Sequence, residues 1–184
     1  LDSPMNMVTH VMAQQYCKWA GKMLCTEDQW ERAARGGCNM HGKGGNCEKD
    51  SAAWIYPAGT TPPSCAQAYY SAPGCLPKDK PSDLNETDKG QMSGGKIEYV
   101  MQMAANVSEW VAGYWHENPD VAGICNGEKR FVRGGSYLST NNEIRVSWRS
   151  QPLDAETAAP HIGFRCCASP GWNAVHSSGG SSRV

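Results

Sequence analysis

Two runs near the end of the chain, Arg133-Gly134-Gly135-Ser136-Tyr137 and Ile162-Gly163-Phe164-Arg165-Cys166, decide how the rest is read. Both have a short strand-like pattern, over residues 130–137 and 161–168. The interval between them is equally informative. Residues 138–162 contain no cysteine, although the 184-residue chain holds nine. The interval carries instead a short polar run, Ser139, Thr140, Asn141, Asn142 and Glu143, followed by Trp148 and Arg149.

Upstream of the first run stands Ala105-Asn106-Val107-Ser108-Glu109-Trp110-Val111, and two helical patterns occupy the start of the chain. Residues 8–20 read as a helix with Val8, Met12, Tyr16 and Trp19 on one face, and Gly21 as its stop. A second helix begins at Thr26. Thr26 and Gln29 form a capping box, and Glu27 and Asp28 suit the positive end of the helix dipole. Trp30, Ala33 and Ala34 form its buried face, and Gly36-Gly37 ends it. Trp19, Trp30 and Trp110 are expected to pack in the core.

Between residues 38 and 98 no period is visible. Pro, Gly, Ser, Asn and Lys dominate, and Cys38, Cys47, Cys65 and Cys75 punctuate the stretch. Such a composition stays unfolded unless cross-links fix it as ordered loops. Nine cysteines without a Cys-x-x-Cys pair point to disulfides and an oxidising compartment, hence a secreted, extracellular or periplasmic protein. An odd count leaves one thiol over. The length suits one domain. The net charge of −1 provides no field for nucleic acid, and no apolar run approaches the length of a membrane span. Residues 168–184 are rich in Gly and Ser and are expected to form a flexible tail.

Four motifs in order carry a resemblance: Tyr16-Cys17-Lys18-Trp19-Ala20-Gly21-Lys22, Thr26-Glu27-Asp28-Gln29-Trp30-Glu31-Arg32-Ala33-Ala34-Arg35, the 105–111 segment, and the closing block with Arg145 and Arg149. Together they resemble the formylglycine-generating enzyme family, the sulfatase-modifying factor domain. The resemblance covers most of 4–37, 99–112 and 131–167. It implies an α+β, C-type lectin-like fold with two helices, small antiparallel sheets, high loop content and stabilising disulfides. The matching domain is expected to span 1–167 and to lack the family's N-terminal segment.

The resemblance also implies where chemistry would lie. Family enzymes bind copper(I) through a cysteine pair placed between the two closing motifs. Ser139 takes the place of the first thiol, and no residue near Ile144 or Val146 restores the second. A hydroxyl is a hard, weakly acidic ligand for a soft ion, so copper is not expected. Members of the family hold calcium near the 105–111 segment, and the matching positions are Gln102, Ala105, Val107 and Glu109. The other reading of Glu109 is a carboxylate that accepts backbone N–H bonds and fixes the turn. The resemblance pairs Cys17 with Cys166, and Cys25 and Cys167 follow the same logic. Cys38–Cys47 and Cys65–Cys75 are local guesses that leave Cys125 over.

Other chemistries find less support. His10, His116 and His161 are scattered, Ser139 has no acid and histidine at triad spacing, and Gly42-Lys43-Gly44-Gly45 lacks the spacing of a phosphate loop. The expectation is therefore a non-catalytic secreted binding or structural module. Its protein or glycan ligand would be contacted through a cleft at 137–149 lined by Trp115, Tyr137, Ser139, Asn141, Asn142, Glu143, Trp148 and Arg149. The alternatives are a retroelement-diversified ligand-binding protein, an oxidoreductase of the formylglycine-generating type, and an assembly subunit that self-associates through Cys125 or the tail.

Overall fold

Thr9 opens the first helix. Its backbone is extended and its hydroxyl accepts from the Met12 N–H, so α1 runs His10–Trp19, two residues inside the predicted start. The computed structural model describes residues 4–35, 55–57, 60–65, 68–71, 103–113 and 129–168. The helix closes at Ala20, followed by Gly21 with φ +71°. Its buried residues are His10, Ala13 and Cys17. Val8 packs on the core beside them, but Met12, Tyr16 and Trp19 face outward. Trp19 is 80% exposed, which corrects its expected place in the core. The reason is steric and covalent. Ala13 and Cys17 are small enough for close approach to Trp110 and Ile162, and Cys17 is bonded to Cys166. That bond fixes the rotation of the helix against the apolar stripe. Tyr16 keeps one packing partner, the edge of Phe164 at 5.4 Å between ring centroids.

After the two-residue strand β1, Met23–Leu24, comes α2, Glu27–Arg35. The capping box forms as the sequence predicts. Thr26 N–H donates to Gln29 Oε1 at 2.9 Å, and Gln29 N–H donates to Thr26 Oγ1 at 3.2 Å. Trp30 and Ala34 are buried, and Ala33 packs partly against the same cluster.

The remaining strands are short: β2 Ser108–Trp110, β3 Lys129–Arg130, β4 Val132–Arg133, β5 Leu153–Asp154, β6 Ile162–Phe164 and β7 Cys166–Cys167. β2 lies at the centre of the order β4-β2-β6. It pairs antiparallel with β4 and parallel with β6, matching Glu109 with Arg133 on one side and with Gly163 on the other. The parallel pair departs from the expected antiparallel sheets; the long connection from β2 to β6 gives the chain room to cross over. β1 pairs with β7, and β3 with β5, both antiparallel.

Three apolar clusters lie around this sheet. One joins α1 to Trp110, Val132 and Ile162. A second joins α2 to Met103, Val111 and Val146. A third gathers Tyr56, Tyr70, Ala104, Ala105 and Ile144. The Cys17–Cys166 and Cys25–Cys167 bonds form as the resemblance implies. Closing loops of 149 and 142 residues restricts the unfolded chain, worth roughly 4–5 kcal/mol each in the chain-entropy account. Cys65 is also disulfide-bonded. The pairings suggested for Cys38, Cys47 and Cys75, the spare Cys125 and the tail lie outside the described residues. Among the described residues no helix is long and apolar enough to cross a membrane.

Candidate functional site

The closing motif begins with a buried ion-pair network. Arg133 is fully buried on β4, with its guanidinium 5.2 Å from the centroid of the Trp30 ring. It donates to Glu31 Oε2 and to the carbonyls of Val146 and Ser147, and lies 3.2 Å from Glu27. Burial works against its charge more than the two glutamates restore it, so its pKa sits below the ordinary arginine range. Glu31 is held below the usual carboxylate range: burial raises it, but the hydrogen bonds from Arg35 and Arg133 outweigh that.

Next come the two glycines. Gly134 and Gly135 have φ of +86° and +67°. A β-carbon at 134 would meet Trp30 Cζ2 at 2.9 Å, and one at 135 would meet the Glu143 carbonyl oxygen at 2.8 Å. Only glycine combines that backbone with that approach. The pair turns the chain sharply from β4 into residues 136–143.

The turn they create uses up Ser139. Its hydroxyl accepts from Ser136 N–H at 2.9 Å, and its own N–H donates to Ser136 O at 3.0 Å. Its carbonyl accepts from Ser71 N–H at 3.0 Å, and the residue is 8% exposed. Ser136 Oγ accepts in turn from Leu138 N–H. Where a second thiol would be sought, Ile144 and Val146 are each buried in apolar clusters. This arrangement caps a turn and offers no soft ligand.

The other residues predicted to line the cleft divide into two groups. Tyr137 is buried and donates its N–H to Asn106 O at 2.9 Å, so its ring belongs to the interior. Glu143 Oε2 accepts from Thr140 N–H at 2.6 Å and from Thr140 Oγ1 at 3.0 Å, closing a second turn. Asn142 is exposed, and Asn141 is half-buried with Oδ1 lacking a partner. Trp148 is half-buried. Arg149 faces the other way: it pairs with Glu27 on α2 and covers the Phe131 ring at 6.0 Å. Residues 136–139 and 140–143 therefore form two successive turns, and Arg149 belongs to the α2 network. Trp115 lies outside the described residues.

At the 105–111 segment, Ala105 and Asn106 hold φ of +71° and +59°. Ala105 N–H donates to Gly134 O at 2.8 Å and Asn106 N–H to Tyr69 O at 3.0 Å, which over-determines this strained turn. Glu109, 6% exposed, receives Arg165 at both oxygens, with Nη2 to Oε1 at 2.6 Å, while Trp30 Nε1 donates to Oε2 at 2.7 Å. Burial opposes the Arg165 charge, yet Glu109 outweighs it and holds the guanidinium above its ordinary range. Both carboxylate oxygens of Glu109 are thus engaged within the protein. The one carboxylate at the proposed ligand positions is already neutralised by a bidentate guanidinium. Among the described residues no group of three His, Cys, Asp or Glu is placed to hold a metal. Gln102 lies outside them. Glu109 is instead the post that joins α2, β2 and the β6–β7 segment.

The sequence reading missed this post because it treated Glu109 and Arg165 in separate motifs. A signal was present. Two charged residues in strand-forming segments, Glu109 beside Trp110 and Arg165 between Phe164 and Cys166, call for each other when buried.

With the geometry described, known proteins give it context. Residues 1–170 match the family described as sulfatase-modifying factor enzyme 1-like domain. A formylglycine-generating enzyme of Thermomonospora curvata is 32% identical over 187 residues, covering 92% of this chain and 57% of that protein. A bovine protein named inactive C-alpha-formylglycine-generating enzyme 2 is 29% identical, covering 93% of this chain and 52% of its own length. The chain thus spans a little over half the length of these relatives. Treponema denticola variable protein 1 shares the fold at a TM-score of 0.60, with 17% identity and coverage of 89% of this chain and 70% of that one.

Proposed function

The chain belongs to the sulfatase-modifying factor enzyme 1-like family, and from that premise we propose that it is a non-catalytic, secreted binding or structural module. The observation that carries this reading is Ser139. Its hydroxyl is committed to the Ser136 N–H, and residues 138–162 supply no cysteine to replace a lost thiol pair. A family scaffold without its soft ligands retains the fold and loses the means to bind copper(I). A relative named as inactive at 29% identity makes such a member unsurprising.

The proposed contact surface is the turn around 137–149. Leu138 is 52% exposed, and the exposed Thr140 and Asn142 stand beside it. An apolar tip flanked by short hydrogen-bonding side chains suits a protein or glycan ligand. Secretion is supported by composition and by five described cysteines in disulfides, namely Cys17, Cys25, Cys65, Cys166 and Cys167.

Two measurements test the reading. The oxidised protein is incubated with copper(I), oxygen and a cysteine peptide taken from a sulfatase, and the peptide is weighed by mass spectrometry. No aldehyde product is expected, and steady conversion would make the protein an enzyme. In parallel, the protein is applied to a glycan array beside Leu138→Ala and Asn142→Ala. Binding that both substitutions weaken is expected for glycan ligands; binding that neither alters removes this surface from the proposal.

A further inference from the structure

The outward side of α1 borders a cleft of about 500 Å³ that includes none of residues 137–149. Its apolar lining is Val11, Met23, Leu24 and Ala112. Its polar lining is Gln14, Gln15, Lys18 and Lys22. Val11, Gln14, Gln15 and Lys18 recur at intervals of three and four, so one stripe of α1 faces the cleft. Next to it runs the exposed stripe of Met12, Tyr16 and Trp19.

Size and charge together restrict what fits. The volume lies within the ordinary range of small-molecule sites, roughly 300–1,000 Å³. Among the described residues, two lysines line the cleft and no acidic residue does. Lys18 makes no ion pair with another described residue. A wholly apolar guest would desolvate the ammonium and amide groups without replacing their water, at a cost. A wholly polar guest would leave the accessible apolar surface of Val11, Met23 and Ala112 in contact with water. A guest with an apolar body and an anionic head satisfies both surfaces.

We propose that this cleft binds a small amphipathic carboxylate. Its chain lies on Val11, Met23, Leu24 and Ala112, and its head lies at Lys18, with the glutamine amides beside it. The proposal is independent of the function assigned above and needs no residue of the 137–149 turn.

Calorimetric titration of the intact, oxidised chain tests it, using octanoate, octanol and butyrate as probes. Octanoate should bind one site with a Kd of about 1 mM or tighter, butyrate and octanol at least about tenfold more weakly. Replacing the lysine at the head, Lys18→Gln, should weaken octanoate by about tenfold and reduce its salt dependence. Val11→Glu, which puts a negative charge on the apolar lining, should abolish it. Lys18 and Val11 are exposed, so circular dichroism should report an unchanged fold for each variant. Octanol as tight as octanoate, affinity unchanged by the lysine substitution, or no saturable binding up to about 5 mM would each overturn the proposal.

Discussion

The two helices of this protein are held in opposite ways. α2 is anchored by what it buries: Trp30 is fully buried, touches Arg133 and donates to Glu109. α1 is anchored by small residues and a covalent bond, with Ala13 and Cys17 inward and its largest ring outward. The lesson concerns what sets a helix's rotation. Apolar periodicity does so when no stronger constraint exists. A disulfide to a neighbouring strand is stronger, and it leaves the apolar stripe to serve the surface.

That contrast can be broken or sharpened by measurement. The largest effect is expected from α1's bond. Cys17→Ala with Cys166→Ala should cost roughly 4–5 kcal/mol in urea unfolding; a loss near zero would mean that packing alone orients the helix. Trp30→Ala should cost about 3–5 kcal/mol, since it opens a cavity and strips Glu109 of a donor. A well-tolerated Trp30→Ala would undo the claim that α2 is held by its buried ring.

The third test is acid. His10 is buried, its Nε2 sits 3.1 Å from Val111 O and its Nδ1 has no partner, so burial lowers its pKa to about 4. The Val111 carbonyl fixes the Nε2–H tautomer, and a proton on Nδ1 would be a charge without a partner. The unfolded chain takes up that proton near pH 6.5, the folded chain only near 4. Stability is therefore fully present above about pH 6.5 and falls as pH drops towards 4, by up to roughly 3 kcal/mol. Thermal melts across that range should show the decline, and His10→Gln should flatten it. An unchanged slope in the variant would assign the acid sensitivity to other groups.

Smaller effects complete the series. Thr26→Ala should cost about 1 kcal/mol by removing one arm of the capping box on α2. Trp19→Ala should change stability by less than about 0.5 kcal/mol, because the ring is on the surface. A Trp19→Ala cost approaching that of Trp30→Ala would erase the distinction between the helices.

Much of this was readable from local chemistry. The capping box of α2 is a backbone motif four residues long, and both of its hydrogen bonds form. The two long-range disulfides followed from the family resemblance, whereas the Gly134-Gly135 turn interrupts a run read as strand-like over 130–137. Two features were hidden because they depend on distant partners. The outward turn of Met12, Tyr16 and Trp19 depends on Cys166, nearly the whole chain away. The role of Glu109 depends on Arg165 and Trp30, which lie 56 and 79 residues off. Ser139 was recognised as a departure from the family pattern, but its hydrogen bond to Ser136 required the turn geometry.

The adjacency of Cys166 and Cys167 has a consequence for how the protein matures. Successive strand residues point to opposite sides, so these neighbours serve two different partners across β7. In the native register Leu24 faces Cys166 and Met23 faces Cys167. Exchanging the partners, Cys17 with Cys167 and Cys25 with Cys166, would need the strand to slip by one residue and turn its faces over. Such a crossed isomer has the same mass and the same number of bonds as the native protein. Preparations can therefore be fully oxidised and still mixed, and peptide mapping across residues 166–167 is the quality control that tells the two isomers apart.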